Sequence, residues 1–121
     1  MDIYLLLLWA NYVAGKATPP EMPQLYATLA LEGAEVAGVT RVAVYYANPV
    51  QVSDTEVRID AQSGVAFDNT PDGDADEVWI YDETSGGNRW WKIRLDTPVT
   101  LVDGGNKTFA AGDLSHTIRA V

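Results

Sequence analysis

A chain of 121 residues supplies one ordinary core, because folding at this length removes roughly two thirds of the unfolded surface from water. Hydrophobic residues make up 47% and charged residues 21%, the balance of a globular chain and not of a disordered or fibrous one. Asp and Glu number 17 against 8 Lys and Arg, for a formal net charge of -9, which argues against nucleic acid or anionic membrane as a main partner, since both need a basic footprint. With no Cys and 1 His, disulfides, thiolate metal sites, a Cys nucleophile and multi-His zinc sites are excluded.

The N-terminus reads IYLLLLWA from Ile3 to Ala10. A signal peptide wants a positive start, and here Asp2 comes first and Lys16 is the earliest base. The apolar stretch is also shorter than the roughly 20 residues that span a bilayer. The expectation is a short, mostly buried helix over Asp2 to Ala14, with Asp2 as its cap and Gly15 just past its end. The leucines wrap most of the way round, so the helix needs cover on more than one side. Leu7 is expected to be buried, and Leu5 and Trp9 are candidates for a partner contact. The alternatives are a segment that is removed or enters a membrane, and a helix that docks on a partner subunit.

Residues 16–24 carry Pro19, Pro20 and Pro23, which suit an extended connector and not a helix interior. From Leu25 to the end the chain reads as β. Short apolar runs broken by turn residues place strands at Leu25 to Leu31, Arg41 to Tyr46, Thr55 to Ala61, Gly64 to Phe67, Glu77 to Tyr81, Arg89 to Asp96, Val99 to Val102, Lys107 to Phe109 and Leu114 to Val121. That spacing marks an antiparallel sandwich of about eight short strands, jelly-roll or immunoglobulin-like. One domain over residues 1–121 follows. Two GGN segments, Ser85-Gly86-Gly87-Asn88 and Asp103-Gly104-Gly105-Asn106, read as hairpin tips because Gly, Asn and Asp tolerate positive φ.

The chain carries little that resembles a catalytic motif. No Ser lies in a nucleophile elbow, no Gly-rich phosphate loop is present, and His116 reads as a strand residue. No cofactor is expected. The acidic segment Asp68 to Glu83 is site-like, with Asp72, Asp74 and Asp76 in D-x-D-x-D spacing and Glu83 where a calcium loop has its last ligand. The position that demands Gly holds Glu77, and the flanks read as strands, so the default is a solvated acidic loop and a calcium site is the lesser alternative.

Aromatic residues are the other signal. Strict alternation puts Trp91, Ile93 and Leu95 on the core face and Trp90 on the opposite one, with Trp79 and Tyr81. That second face is covered by the helix, meets a partner, or stacks on carbohydrate. Trp79, Tyr81, Trp90 and Tyr45 join Leu5 and Trp9 as interface candidates.

The order of several short motifs resembles a family of small tailed-bacteriophage virion structural proteins, often called tail fibre proteins. They are Leu25-Tyr26-Ala27-Thr28-Leu29, then Glu35-Val36-Ala37-Gly38 with Arg41. Ile80-Tyr81-Asp82, Ser85-Gly86-Gly87-Asn88 and Trp90-Trp91 follow, then Leu95-Asp96-Thr97-Pro98, then Phe109-Ala110-Ala111-Gly112-Asp113-Leu114 with Ile118. The resemblance spans nearly the whole chain, though each motif alone is common turn chemistry. It implies a non-enzymatic β-sandwich in the virion, assembled in the host cytoplasm and not secreted by a signal peptide. At this size a capsid decoration (cement) protein fits as well as a tail component. The resemblance then implies a homotrimer contacting the major capsid protein or other virion subunits, with neither nucleic acid nor membrane as partner. A tail fibre, neck or baseplate component is the alternative, and a glycan- or calcium-binding module a second one.

Overall fold

In a computed structural model the described residues are 3–15 and 23–119, apart from the side chains of Leu5 and Leu8. Asp2, Lys16, Pro19, Pro20 and Val121 therefore lie outside them. Among the described residues a single α-helix, α1, covers Ile3–Val13. It ends where Gly15 turns to a φ of 73° and its N–H bonds back to the Tyr12 carbonyl. The rest is β: β1 Leu25–Leu31, β2 Ala34–Glu35, β3 Val42–Val44, β4 Val50–Gln51, β5 Glu56–Ile59, β6 Val65–Thr70, β7 Gly73–Tyr81, β8 Arg89–Leu101, β9 Gly105–Phe109 and β10 His116–Arg119. Among the described residues these strands number ten against nine expected segments: two of those segments merge into β8, while β2 and β4 are two-residue pairings too short to leave a hydrophobic period.

Every strand pair is antiparallel, and the architecture is a β-sandwich. One layer is a five-stranded sheet in the order β2-β1-β7-β8, with β3 also pairing β1. Two smaller sheets, β10-β5-β4 and the pair β6-β9, complete the architecture. The layers close on Trp91 of β8, whose ring stacks flat on His116 of β10 at 4.8 Å and meets Tyr46 edge-on at 5.2 Å. Tyr46 donates its hydroxyl to the Leu114 carbonyl at 3.2 Å, and burial pushes its phenol up to about 12. Leu29, Val78, Ile80, Phe67 and Leu114 fill the space between.

Two local expectations fail for topological reasons. The Asp103–Asn106 turn forms, with the Gly105 N–H bonded to the Val102 carbonyl at 2.8 Å. It does not join a hairpin, however. β8 belongs to the large sheet, whereas β9 pairs with β6. Buried Thr70 at the end of β6 holds the crossing: its hydroxyl donates to the Val102 carbonyl at 2.9 Å, and its backbone carbonyl accepts from the Gly104 N–H at 2.8 Å. The two segments expected as separate strands, Arg89 to Asp96 and Val99 to Val102, are one strand with a bulge. Leu95, Asp96, Thr97 and Pro98 stand opposite Asp76 alone, which places Pro98, lacking a ladder donor, where no ladder bond is needed.

Helix α1 corrects a third expectation. Among its described side chains, the one packed closely on the sandwich core is Tyr4, whose ring lies 6.0 Å from Trp90. Leu7 is 56% exposed, and Leu6, Trp9, Tyr12 and Val13 also face outward. The helix is therefore not a buried one within this chain: eleven residues cannot cover all their sides on a single sheet end.

Candidate functional site

The six candidate contact residues separate into buried and open ones. Trp90 is an extra residue in β8, since Ile80 pairs with Trp91 and Tyr81 with Arg89. That bulge breaks the strict alternation, so Trp90 and Trp91 are both buried, 2% and 3% exposed, in one core cluster. Trp79 is 5% exposed, its indole N–H donating to Glu77 and its face covered by the Arg89 guanidinium at 4.5 Å. Tyr81 is half-buried beneath Arg41, whose guanidinium carbon stands 3.8 Å above the ring. Trp79, Tyr81 and Trp90 thus form no open aromatic face: Tyr4 of α1 and two arginines cover them. Tyr45 and Trp9 are open to solvent, 59% and 42% exposed. The Leu5 side chain lies outside the described residues.

The acidic segment is not a loop. β7 begins at Gly73, so Asp74 and Asp76 stand on a strand, where alternate residues sit about 7 Å apart along the backbone. Asp72 accepts from the Asp103 N–H at 2.8 Å, and Asp76 from the Glu32 N–H at 3.4 Å. Among the described residues no group of three acidic or His side chains is placed to hold a metal ion. His116 is taken up in its stack on Trp91.

What the motifs build instead is a knot at the β7–β8 end of the sandwich. Arg41, with its side chain only 6% exposed, grips the Glu35 carboxylate with two nitrogens at 2.9 and 3.0 Å. A third nitrogen donates to the Glu83 and Gly86 carbonyls at 2.8 and 2.7 Å. Next to it, Asp82 accepts from the Asn88 N–H at 2.8 Å and from the Asn88 amide and Trp90 indole, both at 3.3 Å. Burial works to raise the Asp82 carboxyl, but these donors together outweigh it and hold the group below the usual carboxylate range. For Glu35 the Arg41 bond is the largest influence, and it also lowers the carboxyl against the opposing effect of burial.

Gly87 closes the loop at a φ of 75°, with a Cβ there falling 2.6 Å from Asp82 Oδ1 and 2.7 Å from the Glu83 side chain. Gly87→Ala is therefore expected to cost about 2–3 kcal/mol, because backbone strain and a steric clash add. Gly86→Ala, with positive φ but open space around it, is expected to cost about 1 kcal/mol. Urea titrations of the two variants check the order, and equal midpoints would contradict it.

A cleft of about 550 Å³ opens on the other side of Trp91, lined chiefly by Pro23, Leu25, Tyr45, Tyr46, Pro49 and the Trp91 ring. Among the described residues that line it, none carries a charge. The one amide among them, Gln24, donates to the Leu25 and Val44 carbonyls. Sequence reading missed both the knot and this cleft. Glu35 and Arg41 are visible as a motif, but their meeting with residues 83–88 depends on β1 pairing with β7.

No family model matches the chain, and no curated protein matches it. Among the described residues no helix is long and apolar enough to cross a membrane.

Proposed function

We propose that this chain is a non-enzymatic structural protein of a tailed-bacteriophage particle. In this reading it decorates the outside of the head as a homotrimer and cements neighbouring subunits of the major capsid protein. The observation that carries the reading is the ordered series of motifs from Leu25 to Ile118, whose members serve architecture and not chemistry. Glu35, Arg41, Tyr81, Asp82, Gly86, Gly87 and Asn88 lock one loop. Asp113 accepts from the Ala110 N–H at 3.1 Å and caps the turn that buries Leu114. A cement protein needs a rigid body, an uncharged docking surface and a soluble remainder. The locked sandwich, the uncharged helix α1 and the acidic balance support those parts.

Copy number in purified particles tests the proposal. Quantitative mass spectrometry, with the major shell protein as internal standard, is expected to give a ratio near one copy per shell subunit. A few copies per particle would move the protein to the tail, neck or baseplate. Absence from the particle would end the virion reading.

A further inference from the structure

Among the described residues two uncharged, largely apolar surfaces stand without a partner, one a helix face and the other a cleft. The first is the outer side of α1. Leu6, Trp9, Ala10 and Val13 follow the i, i+3, i+4, i+7 spacing of a helix that lies in a groove. At 3.6 residues per turn this stripe lies opposite Tyr4, the residue that faces the helix's own sandwich. Leu6, Trp9 and Val13 are 49%, 42% and 81% exposed. Trp9 and Tyr12 stand edge to face at 5.9 Å, a preassembled aromatic pair. The second surface is the cleft beside Trp91. Its walls are largely apolar, its Gln24 and Tyr46 side chains are bonded internally, and of its buried side-chain polar atoms the Trp91 indole nitrogen lacks a hydrogen-bond partner.

We infer that α1 of one copy docks in the Trp91 cleft of a second copy of the same chain. Charge decides for a second copy. Two molecules that each carry -9 repel wherever acidic surfaces meet, so self-association requires surfaces without charge, and helix and cleft are both of that kind. Size decides for helix-in-cleft over helix-on-helix. A helix of 11 residues is about 16 Å long and by itself falls short of the roughly 800 Å² per partner of a stable interface. Seating it in a cleft uses two surfaces of each molecule. A head-to-tail contact of this kind gives a ring where its rotation closes and a filament where it does not; the ring deepens the homo-oligomer part of the proposed reading and does not depend on the virion part.

The chain's own asymmetry provides the test. Leu6→Asp spoils the helix and Tyr45→Asp spoils the cleft, and both positions are exposed, so each variant keeps a cooperative melt. By sedimentation velocity the wild type is expected to associate at about 100 µM, and each variant is expected to dissociate at least about tenfold more readily. Mixed together, the variants are expected to form a 1:1 pair, since one intact helix meets one intact cleft. A mixture that stays monomeric would overturn helix-in-cleft docking, as would a wild type that stays monomeric. A shift of tryptophan emission only on adding neutral phosphatidylcholine vesicles would give α1 to a lipid surface instead. None of these outcomes depends on particle copy number, so this inference and the virion proposal can fail separately.

Discussion

Replacing Ile80 with Asp is expected to leave no cooperative unfolding transition at 25 °C. Ile80 is fully buried in β7, pairs with Trp91 across β8 and with Ala27 across β1, and sits in the middle of the core cluster. An aspartate there has no cation within the cluster to pair with. It either ionises unpaired in an apolar site or takes up a proton, and both routes cost several kcal/mol. The lost aliphatic packing adds about 2–4 kcal/mol. A domain of this size has roughly 5–15 kcal/mol in all, so the sum takes up most or all of it. Urea titration followed by tryptophan emission, with far-UV circular dichroism alongside, measures this. Ile93→Asp provides the internal scale. Ile93 is only half-buried and lines a polar groove with Arg94 and Lys107, so its variant is expected to stay folded at a cost of about 1–2 kcal/mol. A wild-type midpoint for Ile80→Asp would mean that the register of β7 against β1 and β8 is wrong.

That register was half legible in the sequence. The alternation of Glu77 to Tyr81 and Arg89 to Asp96 placed both strands and their antiparallel pairing, because a half-buried strand writes its face into every second residue. Leu25 to Leu31 was placed to the residue for the same reason. What alternation cannot show is where it stops. One bulge residue at Trp90 turns a predicted outer aromatic into a core one, and a one-residue slip has no compositional mark. β9 was expected to pair with β8, its neighbour in sequence, and it pairs with β6 instead, since a turn reports the local backbone path and not the sheet that the next strand joins. Helix α1 is the converse case. Its sequence reads as buried on several sides, and among the described side chains of this one chain Tyr4 packs on the sandwich while Leu6, Leu7, Trp9 and Val13 stay exposed. The composition reported a need, and the supplier of that need is not encoded in the helix. The candidate contact surface was accordingly split. Trp9 and Tyr45 are open to solvent, whereas Trp79 and Trp90 are covered by the bulge, Arg89 and Tyr4, which alternation within one strand does not reveal.

Arg41→Ala is expected to lower stability by about 2–4 kcal/mol, more than any other single polar substitution in this chain. Four hydrogen bonds and the Tyr81 ring meet on this one side chain, and they join β2, the segment leading into β3 and the 82–88 loop. Removing it strands the Glu35 carboxylate and two carbonyls. The loss stays below the 3–5 kcal/mol typical of breaking a fully buried pair, because Glu35 is 33% exposed and water can reach it. Arg41→Lys keeps the charge but cannot grip both carboxylate oxygens and both carbonyls, so it is expected to recover less than half of the loss. Acid titration separates the ion pair from the rest of the knot. In the wild type Arg41 holds the Glu35 carboxyl below its ordinary 4.5. A depressed carboxyl contributes stability that is in full force above the unfolded-state value and is lost as pH falls through the folded one. The wild type should therefore lose this contribution from about pH 5 downward, and Arg41→Ala should lose much less over the same range. Melting temperatures across that range give the comparison, at roughly 4 °C for each kcal/mol. Parallel curves for the two proteins would mean that the Glu35 pair contributes nothing, and that the carbonyl bonds and the Tyr81 contact alone hold the loop.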